Sequence, residues 1–286
     1  MPLKDRAPPP AGPPWDLPIA EAPLAFVDLE MTGLDVTKDR VVEVCIDRCV
    51  NGVRVDGITT LVLPPDRVGG NAHVHGLDGA SLEGAPTFID VAGEIARVLE
   101  GAIVVAHAAE WDVKFLAMEM ERVGRTYAAP HYLDTLVMAR RAFAFRSYSL
   151  GALCESLKID RGVAHRAAPD VLAMRQLFDK CIAVLAPSTA RDLWEVRIAE
   201  KQARASIVAA CEAAVEHAAP VQLTYRPSKR GAEPMLMVLT EVRADLDPPR
   251  VIGYQLPGRG RRELRADRIL RVDPPHDPAA SDGETR

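Results

Sequence analysis

Asn51-Gly52 is the residue pair that most restricts how this chain can fold. A two-residue hairpin turn of type I′ needs positive φ at both central positions, which Asn and Gly tolerate best. The pair stands between two strand-like runs, residues 40–50 and 53–63, which are therefore expected to be adjacent antiparallel strands. A further strand-like run, residues 24–30, precedes them. Beyond the hairpin, helical and strand patterns alternate. Ile89, Ala92, Ile95, Ala96 and Leu99 fall on one helical face. Residues 102–106 read as a short buried strand, and the next helix carries Phe115, Leu116, Met120 and Val123, with Gly124 as its stop. Ser149 is placed to cap a helix through Leu150, Leu153 and Leu157, and Pro169 to begin one containing Val171, Leu172 and Leu177. A hairpin followed by alternation predicts an α/β fold, a mixed sheet flanked by helices.

After residue 186 the pattern changes. Residues 188–217 read as a long helical stretch, and short strand-like runs follow at 221–225, 235–242, 251–255 and 263–264. These predict a small all-β barrel or sandwich preceded by a helix. The expected divisions are a Pro-rich, extended or disordered leader (1–22), the α/β domain (23–185), a helical linker (186–204), the small β domain (205–274) and a polar, disordered tail (275–286). Net charge is −5, yet residues 221–272 hold eleven Lys/Arg against six Asp/Glu. That asymmetry suits a nucleic-acid-facing module joined to an acidic one; a basic surface that binds nothing is the alternative. Aromatic residues make up only 5%, which argues against wide stacking platforms for single strands. The five cysteines are odd in number, form no CxxC pair and lie in apolar stretches, so buried thiols are expected rather than a zinc site or disulfides. His73 and His75 form an HxH pair that is read as loop histidines. No apolar run approaches membrane length and there is no hydrophobic signal core, so no membrane contact and a cytoplasmic setting are expected.

Asp28 and Glu30 are two apart on the first strand, so both side chains point to one face. Two acids on an otherwise buried strand need something to offset their charge. A divalent cation does so, and oxygen ligands suit Mg²⁺ or Mn²⁺. A DxE pair alone is unremarkable, but the run Phe26-Val27-Asp28-Leu29-Glu30-Met31-Thr32-Gly33-Leu34 resembles the first motif of the DEDD exonucleases. Val104-Val105-Ala106-His107-Ala108-Ala109-Glu110-Trp111-Asp112 resembles their second motif. His165-Arg166-Ala167-Ala168-Pro169-Asp170 resembles the third motif of the DEDDh subfamily. Val74-His75-Gly76-Leu77, Leu133-Asp134-Thr135 and Tyr148-Ser149-Leu150 add to a likeness spanning residues 23–185. It is similar to the DnaQ-like, proofreading epsilon-subunit branch, with a secondary likeness to oligoribonuclease in the first motif.

The resemblance implies a ribonuclease H-like fold and a two-metal 3′→5′ exonuclease that releases nucleoside 5′-monophosphates. Asp28, Glu30 and Asp170 would hold one ion, and Asp28 with Asp112 the second. His165 would take the proton from the attacking water. Met31, Thr32, Gly33 and Leu34 would meet the terminal nucleotide, with His107 lining the same cleft. Two positions depart from the family pattern: Ala108 stands where asparagine is common, and Trp111 where phenylalanine is common. Residues 205–274 resemble a WYL domain, with Ile252-Gly253-Tyr254 in place of its signature. That likeness implies phosphate contacts by Arg259, Arg261, Arg262, Arg265 and Arg268; dimerisation through the same basic face is the alternative. The implied partners are nucleic acid, DNA ahead of RNA, and a DNA polymerase or repair protein. An RNA-trimming enzyme and a catalytically weak nucleic-acid sensor stay open.

Overall fold

The computed structural model describes residues 7–66, 70, 75–143, 145–163, 165–198, 205–227, 232–246 and 248–273. Strands β1 (Leu24–Met31), β2 (Val41–Val50) and β3 (Val53–Leu61) form an antiparallel meander, with Asn51 and Gly52 at φ 52° and 71° in the turn between β2 and β3. Strands β4 (Ile103–Ala106) and β5 (Leu133–Asp134) join parallel to β1, giving the order β3-β2-β1-β4-β5. The mixed sheet expected from the sequence is therefore present, with β1 at its centre.

Helices α1 (Phe88–Leu99), α2 (Glu110–Arg122), α3 (Thr135–Ala142), α4 (Leu150–Leu157) and α5 (Ala167–Leu185) accompany this sheet. Helix α1 buries Phe88, Val91, Ala92, Ile95, Val98 and Leu99. Ile89, expected on the buried face, is 62% exposed. The stripe that packs begins one residue earlier and keeps i, i+3, i+4 spacing, which leaves Ile89 to solvent. Ser149 caps α4 by accepting from the Ala152 N–H at 3.4 Å. Helix α5 starts at Ala167, so Pro169 lies inside the first turn, where its missing N–H leaves no intrahelical bond unmade.

The Pro-rich leader is a correction. From residue 7 onward it folds back onto the domain instead of trailing from it. Trp15 is buried and meets Trp194 and His131 edge-on, with ring centroids 5.9 and 6.1 Å away. Arg191 donates to the carbonyls of Pro9 (2.8 Å) and Pro10 (2.7 Å), and Pro18 bridges Thr189. Proline's missing donors leave its carbonyls free to accept such bonds.

Beyond α5 the expected single helical stretch is two helices, α6 (Ala190–Ile198) and α7 (Ala205–His217); residues 199–204 lie outside the described residues. The β-rich unit is a five-stranded antiparallel sheet of β6 (Pro220–Tyr225), β7 (Glu233–Arg243), β8 (Arg250–Gln255), β9 (Gly260–Arg265) and β10 (Ile269–Asp273). Their order is β10-β6-β7-β8-β9. Ile207 and Cys211 of α7 pack with Val221, Leu223, Met237, Leu239, Val251 and Leu264 to make its core. Leu270 instead joins the core of the α/β domain, so the two units share an apolar contact. All five cysteines are free and buried. Among the described residues no helix is long and apolar enough to cross a membrane. His73, Val74 and the tail from 274 lie outside the described residues.

Candidate active site

Alternation along β1 places Phe26, Asp28 and Glu30 on one face. Helix α5 covers that face, with Phe178 edge-on to Phe26 at 5.3 Å. This packing carries the first turn of α5, which contains Asp170, to the end of the strand that holds the two acids. Carboxylate oxygens of Asp28, Glu30 and Asp170 consequently lie within 4.8 Å of one another. Asp112 stands outside that group, in the first turn of α2. Strand β4 pairs with β1 only as far as Phe26, and the Asp112 carboxylate accepts from the backbone of Leu29 just beyond.

Burial and mutual repulsion push Asp28, Glu30 and Asp112 toward the protonated form. For Asp28, burial is the main cause of a pKa raised well above the ordinary value, followed by the charges of Asp112, Asp170 and Glu30. Burial and then Asp170 push Glu30 up to about 7, and burial pushes Asp112 up to about 8. Asp170 is neutralised differently: Arg161 grips it with both guanidinium edges, at 2.6 and 2.8 Å, and the His165 N–H adds a bond at 3.2 Å. Three clustered carboxylates, Asp170 buried and Asp28 and Glu30 half-buried, fit a hard divalent cation such as Mg²⁺ or Mn²⁺.

The rim comes from three loops. Leu34 projects with 64% exposure after Met31, Thr32 and Gly33. Thr32 donates to Asp39 at 3.0 Å, and a side chain at Gly33 would collide with the Asp39 carboxylate. The following segment is tied to α2. Buried Glu119 binds Arg40 through two bonds (2.7 and 2.8 Å), and Arg122 donates to the carbonyls of Val36, Thr37 and Asp39. His107 uses both ring nitrogens inside the protein: Nε2 meets Tyr148 O at 3.0 Å and Nδ1 meets Thr135 Oγ1 at 2.9 Å. A carbonyl only accepts, so Nε2 carries the proton, and burial lowers the pKa to favour this neutral tautomer. Ala108 has φ 59°, and its N–H donates to Asp134 at 3.1 Å. His165, also at positive φ (59°), is exposed. Trp111 is 42% exposed beside Lys114.

A family model described as Exonuclease, RNase_T, matches residues 25–178, which is more than half of the chain. The chain belongs to the RNase_T exonuclease family. The DNA polymerase III subunit epsilon of Aquifex aeolicus is 30% identical over 170 residues, covering 57% of this chain and 82% of that one. A DNA polymerase III PolC-type protein of Thermotoga petrophila is 31% identical over 166 residues, covering 57% of this chain but only 12% of its own length. A DNA polymerase III subunit epsilon-like protein of Rhodobacter capsulatus is 34% identical over 179 residues, covering 58% and 25% of the two chains. The chain thus spans a small part of the PolC-type relatives. Exonuclease I of E. coli, solved in complex with a dT13 oligonucleotide, shares the fold with a TM-score of 0.52 at 14% identity, covering 82% of this chain and 55% of that one.

Within this exonuclease domain, several residues that shape the site escaped sequence reasoning. Buried Glu43 pairs opposite Glu30 across β1 and β2. It accepts from Arg166 at 3.0 Å and from the Ala167 N–H at 3.1 Å, which ties β2 to the start of α5. Arg161 is another; Asp134 was legible only as part of the Leu133-Asp134-Thr135 stretch, without a role at the site. The only signal for any of them was a charge in an apolar run, as at Glu43, or closeness to a motif. In the C-terminal sheet the five arginines do not form one row. Arg265 is held by Asp267 at 2.7 and 3.0 Å, and Arg262 donates to Gln255 at 3.0 Å. Adjacent strand residues face opposite ways, so Arg261, paired in register with exposed Tyr254, lies on the other face from Arg262. Arg259 is exposed in the preceding turn, and Arg268 is half-buried.

Proposed function

We propose that this chain is a DEDDh-type 3′→5′ exonuclease acting on single-stranded or frayed DNA and releasing nucleoside 5′-monophosphates. The observation that carries the reading is the convergence of Asp28 and Glu30 from β1 with Asp170 from the first turn of α5. Asp28, Glu30 and Asp170 would hold one divalent ion, and Asp28 with Asp112 a second. Such ions, when bound, supply a nucleophile at neutral pH and offset charge on the scissile phosphate. His165, five residues before Asp170, would accept the proton of the attacking water, the general-base role that a histidine most often fills. The His165 N–H bond to Asp170 orients that segment toward the carboxylates. Leu34 would wedge against the terminal base, while Thr32 and Gly33 shape the loop behind it. With both ring nitrogens occupied, His107 would meet substrate by shape alone.

DNA is preferred to RNA because the similar proteins include DNA polymerase III components. A polymerase or repair complex is accordingly the proposed partner. The C-terminal unit is read as WYL-like, with Arg259 and Arg261 as its freest contacts for phosphate. The purified protein, given Mn²⁺ and a 3′-labelled single-stranded DNA, is expected to release labelled mononucleotide. Asp28→Ala should abolish release, and His165→Ala should reduce it by about 100-fold or more. Release that survives Asp28→Ala, or no release by the parent chain, would sink the reading. A matched RNA oligomer degraded faster than DNA would reassign the substrate.

A further inference from the structure

The C-terminal sheet reaches toward the cleft of the exonuclease domain through one side chain. Arg226 directly follows β6, and its backbone N–H stays within its own unit, donating at 2.9 Å to the carbonyl of Arg268, just before β10. Its guanidinium leaves that sheet and donates to the carbonyls of Arg140, Arg141 (2.9 Å) and Phe143 (2.6 Å). These carbonyls close the C-terminal end of α3, where carbonyls lack intrahelical donors and the helix dipole is negative. A fixed cation there is favourable twice over, by charge and by hydrogen bonding.

The other end of α3 lies at the active site. Asp134, its N-cap, holds the Ala108 N–H, and Thr135 meets the His107 ring. The loop after α3 returns to the same histidine. Phe143 O, besides accepting from Arg226, accepts from Tyr148 Oη at 2.9 Å. That hydroxyl accepts from the Phe145 N–H at 3.1 Å, and Tyr148 O accepts from His107 Nε2 at 3.0 Å. Arg140 packs over the Tyr148 ring at 5.8 Å. Arg226, the helix end, Tyr148 and His107 therefore form one continuous hydrogen-bonded path. Leu270 and Ala232 of the C-terminal unit pack against the exonuclease core, so the sheet that bears Arg226 is docked.

We propose that Arg226 is a positioning residue, through which the C-terminal sheet sets Phe143, Phe145 and Tyr148 and, by way of Tyr148, the His107 wall of the cleft. This rests on the exonuclease reading. It gives the C-terminal unit a part in substrate engagement besides any nucleic-acid contact of its own. Because the path ends on a wall of the cleft and not on the carboxylates, its loss should be felt in KM while metal binding stays intact.

The test uses the full chain carrying Arg226→Ala, Arg226→Lys or Tyr148→Phe. Three readings are taken: the His107 ring signals by NMR without metal or substrate, Mn²⁺ affinity by calorimetry, and steady-state cleavage of a 3′-labelled single-stranded DNA. Arg226→Ala and Tyr148→Phe should both shift the His107 signals. Arg226→Ala should raise KM by about tenfold, with kcat and Mn²⁺ affinity within about twofold of the parent. Arg226→Lys, which keeps the charge but fewer donors, should recover part of the KM change. Unmoved His107 signals in these variants overturn the proposal, as does a joint fall of kcat, KM effect and Mn²⁺ affinity that marks general loosening. If Arg226→Ala does not fold, Arg226→Lys and Tyr148→Phe decide by the same signals. A parent chain that releases no nucleotide defeats the exonuclease reading alone, since the His107 signals are read without turnover.

Discussion

At the scale of single residues, Ala108 shows a departure from a family pattern turning into a measurable strain. Its φ of 59° puts an L-residue with a Cβ in the left-handed region. Asparagine and glycine visit that region readily, whereas other residues are disfavoured by about 1–2 kcal/mol. The family's common asparagine at this position thus has a backbone reason as well as a polar side chain. Ala108→Asn is expected to stabilise the protein by roughly 1 kcal/mol and raise its thermal midpoint by about 2–4 °C; an unchanged or lower midpoint would refute the strain. The carboxylates give a second expectation. Glu30 rises from 4.5 to about 7 and Asp112 from 3.8 to about 8, so the folded protein holds protons that the unfolded chain has already lost. Stability then falls as pH rises across those windows. In chelator, the thermal midpoint should drop between pH 5 and pH 8, and added Mn²⁺ should restore more of it at the higher pH. A chelated midpoint that climbs over this range would contradict the charge crowding.

At the scale of elements, the sequence was most readable where one local rule dominates. Asn51-Gly52 marked the β2–β3 hairpin, and the two-residue spacing of Asp28 and Glu30 put both on one face of β1. Reading failed where distant packing decides. Ile89 is as apolar as its neighbours, yet the sheet takes the stripe beginning at Phe88. Strand β10 contains Arg271 and Asp273 and shows weak alternation; its pairing with β6 supplies what its own sequence does not. Likewise, Asp28, Glu30 and Asp170 were legible as motif residues, whereas Glu43 was not, because its role exists only once β2 and α5 are neighbours. Glu43 fixes the entry into α5 through Arg166 and the Ala167 N–H, three residues before Asp170. Glu43→Gln keeps the shape and loses the charge. If Asp170 holds an ion as proposed, the usual effect of removing a group that orients a metal ligand would weaken Mn²⁺ binding by about 10-fold or more. Calorimetry that returns the parent affinity from a folded variant would leave Glu43 with a role in packing alone.

At the scale of the whole molecule, the segment expected to contribute least to stability ties several parts together. Composition marks residues 1–22 as extended, and proline does keep residues 7–22 out of helix and sheet ladders. The same chain nevertheless carries one large apolar side chain, Trp15, which is buried against Trp194 of α6 and His131 near β5. Arg191 of α6 closes the arrangement on the leader's carbonyls. The leader therefore joins β5 to α6, which in turn precedes the C-terminal unit. A composition average cannot register this, because one buried indole outweighs many exposed prolines in apolar area. Trp15→Ala removes that indole and leaves a cavity against Trp194, a change that typically destabilises by about 3–5 kcal/mol. For a chain of this size the thermal midpoint should fall by roughly 2–4 °C for each kcal/mol lost. The proposed metal-binding carboxylates are on other elements, so Mn²⁺ affinity below the transition should match the parent. If the midpoint of Trp15→Ala equals that of the parent chain, the leader is not a structural part of the fold; if it falls as expected, trimming these residues as a dispensable tail would damage the protein.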